Sequence, residues 1–402
     1  MRMSKKKEIV PKFRFPEFQR DGIDFVHGNK LFKSITNKNH NSDLPILAIT
    51  QDQGAVPRDQ IEYNVTVTDK SLSNYKVVEV GDFIISLRSF QGGIEYSRFK
   101  GICSPAYIIL RKREENISEL YYKYFFKTWR YIQSLNRNLE GIRDGKMISY
   151  SQFSSVKVPY PRSFKEQQKI ADCLSSIDEL IDAENRKLKA LEKYKKGLMQ
   201  KLFPAEGKTL PEWRFPEFRG KSEWRIKPLG KICTNYDSRR IPITEKDRVK
   251  GEIPYIGASG VIDYINDFIF DEDLLCVSED GANLVARTYP IAFSISGKTW
   301  VNNHAHVLKF SHKYTQDIVE SYLNMINLQD FLTGMAQPKL NRAKLDIIPI
   351  PLPEEEEQQK IADCLSEVDK IITEQSNKVE QLKAHKKGLM QGLFPSLEEA
   401  GV

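Results

Sequence analysis

The chain has 402 residues, of which 40% are hydrophobic and 29% charged, with a formal net charge of +7. Length alone predicts two or three domains, and the modest basic excess permits a polyanionic partner without requiring one. No apolar run approaches the ~18–20 residues of a membrane span, and the basic start MRMSKKKEIV lacks the apolar core of a signal peptide, so a cytoplasmic protein is expected. Five cysteines (Cys103, Cys173, Cys233, Cys276, Cys364) include no CxxC pair, which reads as reduced thiols rather than a disulfide frame or a zinc site.

In chain order, the first distinctive string is PKFRFPEF at 11–18. A globular segment follows, with strand-like runs LPILAIT (44–50), YKVVEVGDFIISL (75–87) and AYIILR (106–111). The run 117–135 then predicts an amphipathic helix with an aromatic face. After VKVPYP (156–161) comes a long helical stretch that opens on EQQKIADCLS (166–175) and closes on KKGLMQ (195–200) and LFP (202–204). Ser163 with Glu166 forms a capping-box pattern at its start, and Pro204 stops it. A short polar linker, AEGKTLPEW (205–213), overlaps a second tag, PEWRFPEF at 211–218.

The second globular segment has strand-like runs IPYIG (253–257), LLCVS (274–278) and AHVLKF (305–310), then a helical run over 317–332. IIPIPLP (347–353) leads into a second EQQKIADCLS (357–366), which again ends in KKGLMQ (386–391) and LFP (393–395). Glu354, Glu355 and Glu356 favour the positive end of this helix. The chain is therefore two tandem copies of tag, globular domain and long helix. We divide it as 1–160 (first domain), 161–204 (first helix), 205–352 (linker, tag and second domain), 353–395 (second helix) and 396–402 (tail).

Along the first helix, Ile170, Leu174, Ile177, Ile181, Leu188, Leu191 and Leu198 recur at 4-3 spacing, and Ile361, Leu365, Val368, Ile372, Val379, Leu382 and Leu389 do so in the second. This is a coiled-coil seam with one polar residue, Glu184 or Gln375, at its middle. Each helix should span ~50 Å at about 1.5 Å per residue, and its cheapest partner is the other copy, lying antiparallel. The fold class expected is α+β: two repeated domains and an antiparallel helix pair.

No catalytic pattern stands out. AFSISGKT (292–299) fits a relaxed phosphate-loop pattern, but Gly297-Lys298-Thr299 runs into strand-like sequence instead of the helix that such a loop requires, so nucleotide binding is rejected. His304 and His306 share a strand face without an evident third ligand, and no metal or cofactor site is expected in the chain. The ends of the two copies agree while their middles diverge, which suits one scaffold presenting two different readers. In the first domain Arg88, Ser89, Gln91, Gly92, Gly93, Tyr96 and Arg98 lie in or beside a Gly-rich loop. In the second, Lys298, Trp300, Asn302, Asn303 and His304 cluster, with Arg239, Arg240 and Lys339 elsewhere. Arg and Lys pair with guanine or phosphate, and Asn and Gln with adenine edges, so these are the candidate DNA contacts.

The RFPEF tags, the IPIPLP-to-EEQQKIADCLS entry and the KKGLMQ-LFP exit resemble the specificity subunit of type I restriction–modification enzymes. GDFIISLRSFQGGI with SPAYIIL, and WVNNHAHVLK, resemble stretches of that family's target-recognition domains. The resemblance implies two α/β target-recognition domains separated by antiparallel helices, each domain reading half of a gapped DNA site. It implies a non-catalytic chain partnered by two modification subunits that use S-adenosylmethionine to methylate adenine N6. It leaves room for two restriction subunits that use ATP and Mg. Rival readings are a stand-alone DNA-binding scaffold, a protein-interaction scaffold, and a nucleotide-dependent enzyme resting on Lys298.

Overall fold

A computed structural model describes residues 10–41, 43–61, 72–137, 148–334 and 337–395. The proposed tail 396–402 lies outside them. The chain forms two compact units, one of residues 1–184 with 378–402 and the other of residues 185–377. Their boundaries cut both long helices, which run Phe164–Leu202 and Glu355–Leu393. At 39 residues each, these helices are about 58 Å long.

In the first unit, a neck is made by strand Ile23–His27 pairing antiparallel with Lys157–Pro161. Beyond it lies a four-stranded sheet in the order Phe32–Ile35, Ile108–Lys112, Phe83–Ile85, Glu95–Tyr96. Two-stranded pieces, Leu47–Thr50 with Gly54–Pro57 and Lys76–Val78 with Gly101–Cys103, complete the domain. The run 75–87, read as one strand, is broken. Gly81 turns at φ +94, and Asp82 is buried with Arg111, whose Nε lies 2.7 Å from Asp82 Oδ1. The two halves therefore join different sheets. The run 117–135 is likewise two helices, Glu119–Phe125 and Trp129–Arg137, because the Thr128 hydroxyl donates to the Phe125 carbonyl (2.7 Å) where the first helix ends. The core is aromatic: Phe32, Phe83, Tyr122, Phe126 and Phe153 pack mostly edge to face at 5–6.4 Å.

In the second unit the neck is Arg225–Pro228 against Pro349–Leu352. One four-stranded sheet runs Thr234–Asn235, Ala305–Lys309, Leu274–Ser278, Ala292–Ile295, the same connectivity as in the first unit. A second sheet runs Gly260–Ile265, Lys250–Gly257, Lys298–Val301, Phe270–Asp271. Gly297, at φ +66, makes the turn between strands Ala292–Ile295 and Lys298–Val301. The relaxed phosphate-loop pattern is thus a strand-to-strand turn that passes from one sheet to the other, with no helix behind it.

The helices run antiparallel. Within the first unit Lys386 meets Asp178 and Lys378 meets Glu184, both at 2.5 Å; within the second, Lys195 meets Asp369 at 2.5 Å. Partner numbers fall as the first helix advances. Of the seam positions, Ile170, Leu174, Ile181, Ile361, Leu365 and Val379 are buried; Ile177, Leu188, Leu191, Leu198, Val368, Ile372, Leu382 and Leu389 are half-buried. Gln375 is buried and Glu184 half-buried. The seam therefore includes polar residues at its middle, as in coiled coils where such residues set register.

Each domain core takes in the beginning of one long helix and the end of the other. Ile170, Leu174, Leu393 and Phe394 join the first core, and Ile361, Leu365, Leu202 and Phe203 the second. The tags fasten the helix entries. Arg14 holds the Glu166 carboxylate through Nε (2.7 Å) and Nη2 (2.9 Å), and Arg214 holds Glu357 at 2.7 Å through the same two atoms. Lys169 pairs with Glu17 and lies over the Phe15 ring, as Lys360 does with Glu217 and Phe215. Gln167 and Gln358 each donate to the carbonyl of the preceding proline, Pro161 (2.8 Å) and Pro353 (2.9 Å). The duplicated tag and the duplicated helix string are thus two sides of one contact, made twice. One local expectation is corrected here. Ser163 Oγ accepts from Glu166 N (3.4 Å), but the Glu166 carboxylate turns to Arg14 instead of closing a capping box.

The Arg14–Glu166 pair is buried, with side-chain exposures of 6% and 0%. Removing one partner strands a buried charge, which typically costs ~3–5 kcal/mol, whereas replacing both with apolar groups is far milder. Arg14→Met is expected to destabilise the protein by about that amount and Arg14→Met/Glu166→Met by much less. Equal losses in chemical denaturation would show that the charge pair is not what holds the entry.

Candidate nucleic-acid interface

In the first unit, the loop between strands Phe83–Ile85 and Glu95–Tyr96 contains a short helix, Ser89–Gly92. Its scaffold is internal. Ser89 is buried and its Oγ accepts from Ser86 N (2.9 Å); Tyr96 packs edge-on against Phe83 at 5.5 Å. Gly93 has φ +82, and a Cβ there would lie 2.3 Å from the Phe126 carbonyl oxygen. Gly92 lies against Gln51, where a Cβ would fall 2.8 Å from the amide carbon. Arg88, Gln91 and Arg98, by contrast, are exposed. The loop is rigid below and polar above.

Lys127 fastens this loop from behind. Its ammonium donates to the carbonyls of Gln51 (3.1 Å) and Gly92 (2.9 Å) and to Glu95 Oε1 (2.5 Å). Burial pushes the Glu95 carboxyl up to about 7, although Lys127 pulls the other way. Its Oε2 is buried without a hydrogen-bond partner.

In the second unit, the candidate residues fall into two groups. Trp300 is buried and donates from Nε1 to the Ile241 carbonyl (2.6 Å), and Asn302 is buried with Oδ1 accepting from His304 N (2.8 Å). Arg240, at 13% side-chain exposure, binds Glu279 (2.7 Å) and the Ala305 carbonyl (2.8 Å). These three shape the domain from within. Asn303 and His304 are exposed, and His304 Nδ1 sits 2.9 Å from Asp280. Lys298 is exposed and lies over the Phe268 ring at 4.8 Å. Arg239 stacks on Tyr236 and Phe270, 4.6 and 4.7 Å from their centroids, and pairs with Glu272; Lys339 pairs with Glu279 at 3.2 Å.

His306 has closer company than sequence alone indicates. Asp237, Glu279 and His306 bring one ligand atom each within 4.8 Å of one another. The cluster is already saturated: His306 faces Asp237 through Nδ1 (2.6 Å) and the Leu340 carbonyl through Nε2 (2.7 Å). Arg240 and Lys339 occupy Glu279. This arrangement ties three loops together with matched charge.

The sheet order also fixes which loops correspond. The counterpart of the first domain's loop is the segment after Leu274–Ser278, and not the 298–304 cluster. There Asn283, buried, accepts from Thr288 and Tyr289 through Oδ1, and Arg287 takes the left-handed conformation (φ 52) with its guanidinium on the Leu323 and Ile326 carbonyls. Val285 and Tyr289 are exposed at its surface. The strand–loop–strand rhythm shared by FIISL and LLCVS was the available signal.

No helix among the described residues is long and apolar enough to cross a membrane, and all five cysteines are free. Two sheet-and-helix domains of one connectivity, each fastened to a long helix by the same contact, define one duplicated architecture. The family model for the type I restriction modification DNA specificity domain matches residues 21–193 and again 221–383, and the chain belongs to that family. It is 25% identical over 359 residues to the type I restriction enzyme MjaVIII specificity subunit of Methanocaldococcus jannaschii, covering 82% of this chain and 81% of that one. A Haemophilus influenzae relative named for the same kind of subunit is 33% identical over 153 residues, 38% of this chain and 39% of that one. The fold is similar to the crystal structure of a type I S subunit from M. genitalium, with TM-score 0.59 and 15% identity over 97% of this chain and 100% of that one.

The loop anchor predicts a pH effect. A carboxyl whose folded value is raised stabilises the fold fully below its ordinary value of 4.5, and this contribution is lost as pH rises through about 7. The stability of Glu95→Gln relative to the unsubstituted protein should therefore improve between pH 4.5 and 7 and level off above. A difference that stays constant across this window in denaturant titrations would contradict the burial argument.

Proposed function

We propose that this chain is the reader of a type I restriction–modification complex that recognises a two-part, gapped DNA sequence. Each domain reads one half through its own loops, and the antiparallel helices set the gap. The observation that carries this reading is the twice-built frame. The tag–helix contacts are repeated residue for residue, while the loops they support differ in sequence and length. Such a frame presents unlike surfaces in like positions. In the first domain Arg88, Gln91 and Arg98 are offered to DNA; in the second, Arg239, Lys298, Asn303, His304 and Lys339 are offered, with the buried candidates holding them in place.

The chain itself is non-catalytic in this reading. Two modification subunits supply S-adenosylmethionine-dependent adenine methylation, and restriction subunits, where present, supply ATP- and Mg-dependent cleavage, all in the cytoplasm. Two readers on one DNA face suit half-sites about one helical turn apart, ~34 Å, and each long helix, at about 58 Å, exceeds that distance.

An adenine-methylation map of the source genome with and without this gene tests the proposal. Loss of one gapped, two-part motif is the expected result, and an unchanged methylome in a strain that expresses the modification subunit would refute it. Four residues added to one long helix lengthen it by ~6 Å against ~3.4 Å per base-pair step, so the gap should grow by one or two base pairs. An unaltered gap would remove the helices from that role.

A further inference from the structure

A groove of about 770 Å³ in the first unit runs between the start of helix Trp129–Arg137 and the last turns of the second long helix. Among the described residues its lining includes Lys127, Arg130, Lys383, Lys386 and Lys387 and no carboxylate. Lys127 and Lys386 are engaged with Glu95 and Asp178, and Lys383 with Glu380. Arg130 and Lys387 have no side-chain ion pair or hydrogen bond among the described residues. Trp129, 69% exposed, stands at the groove, and the Tyr131 hydroxyl, buried without a hydrogen-bond partner, belongs to a residue that lines it. An exposed indole beside two cations without a partner is a surface that suits an anionic ligand with an apolar face.

The scaffold does not impose this charge. The second unit has its own groove, of about 540 Å³, with the matching helix wall of Lys195, Lys196, Met199 and Gln200. Its lining adds Glu192, Asp317, Glu320 and Asp369. The repeated lysine at 195 and 386 is paired in both units, with Asp369 and Asp178, while the rest of the described lining is acidic in the second unit and basic in the first.

We propose that the first unit's groove seats the DNA sugar–phosphate backbone beside the first half-site, with Arg130 and Lys387 on phosphates and Trp129 against a sugar. This rests on the DNA-reading function proposed above. DNA is favoured over an acidic protein segment because the groove adjoins the reading loop. Lys127 holds the Gly92 carbonyl, and Asn136, on the same helix as Trp129 and Arg130, donates to the Phe90 carbonyl at 2.8 Å. Contacts to phosphate generally flank contacts to bases and fix their register.

The test uses the full chain co-purified with its modification subunit, titrated with duplex carrying the methylated motif over a salt series. Removing one cation from a phosphate reduces the slope of log affinity against log salt by about 0.9. Arg130→Gln/Lys387→Gln should lower the slope by roughly 2 and weaken motif and non-motif DNA alike. Trp129→Ala should weaken binding with the slope retained, and Lys196→Gln, the matching position of the second unit, should leave the slope unchanged. An unaltered slope in the double variant overturns the proposal. So does loss of the modification subunit with the slope preserved, which would make the groove a protein-docking site. Absence of DNA binding by the unsubstituted complex would instead defeat the DNA-reading function itself.

Discussion

The structure depends on a buried arginine–carboxylate fork made twice. Arg14 on Glu166 and Arg214 on Glu357 join a short tag to the first turn of a long helix, and every other repeated contact gathers around them. A guanidinium fork is planar and two-pronged, so it fixes orientation as well as distance. The neck strands, the glutamine that closes onto the preceding proline and the lysine over the tag's phenylalanine follow from that fixed geometry. With the entry angle set, each domain is joined in one orientation to the opening turns of its helix.

The candidate loops are divided between support and display. In the first domain Ser89, Gly92 and Gly93 are committed to close packing, and Lys127 with Glu95 fixes them from below. In the second, Trp300, Asn302 and Arg240 do the supporting. Displayed residues are few, and they differ in kind between the two domains.

The long helices, their ends and their mutual direction were legible in the sequence because periodicity and repetition are written locally. The tag was visible as a repeat, but its purpose was not. Arg14 and Glu166 lie 152 residues apart, and a charge in a sequence does not name its partner. The same limit hid Asp237 and Glu279 from His306. The correspondence of the two loops rests on strand order, because the segment after Leu274–Ser278 is longer than the one after Phe83–Ile85. Among the candidate contacts, residue type identified polar groups well and exposure not at all. Trp300 and Arg240 are as plausible on paper as Arg98, yet only Arg98 faces solvent.

The splitting of each core between distant stretches of chain has a consequence for synthesis. Tyr121 and Phe125 of the first domain pack against Phe394, at ring distances of 5.1 and 5.6 Å. As the ribosome delivers residues in order, the first domain emerges with that aromatic face bare and stays so until the second domain has been made. The second core, closed by Leu202, Phe203, Ile361 and Leu365, is completed earlier. The later-made domain therefore matures first, and the earlier one waits, sticky and in need of protection, for the final helix to return.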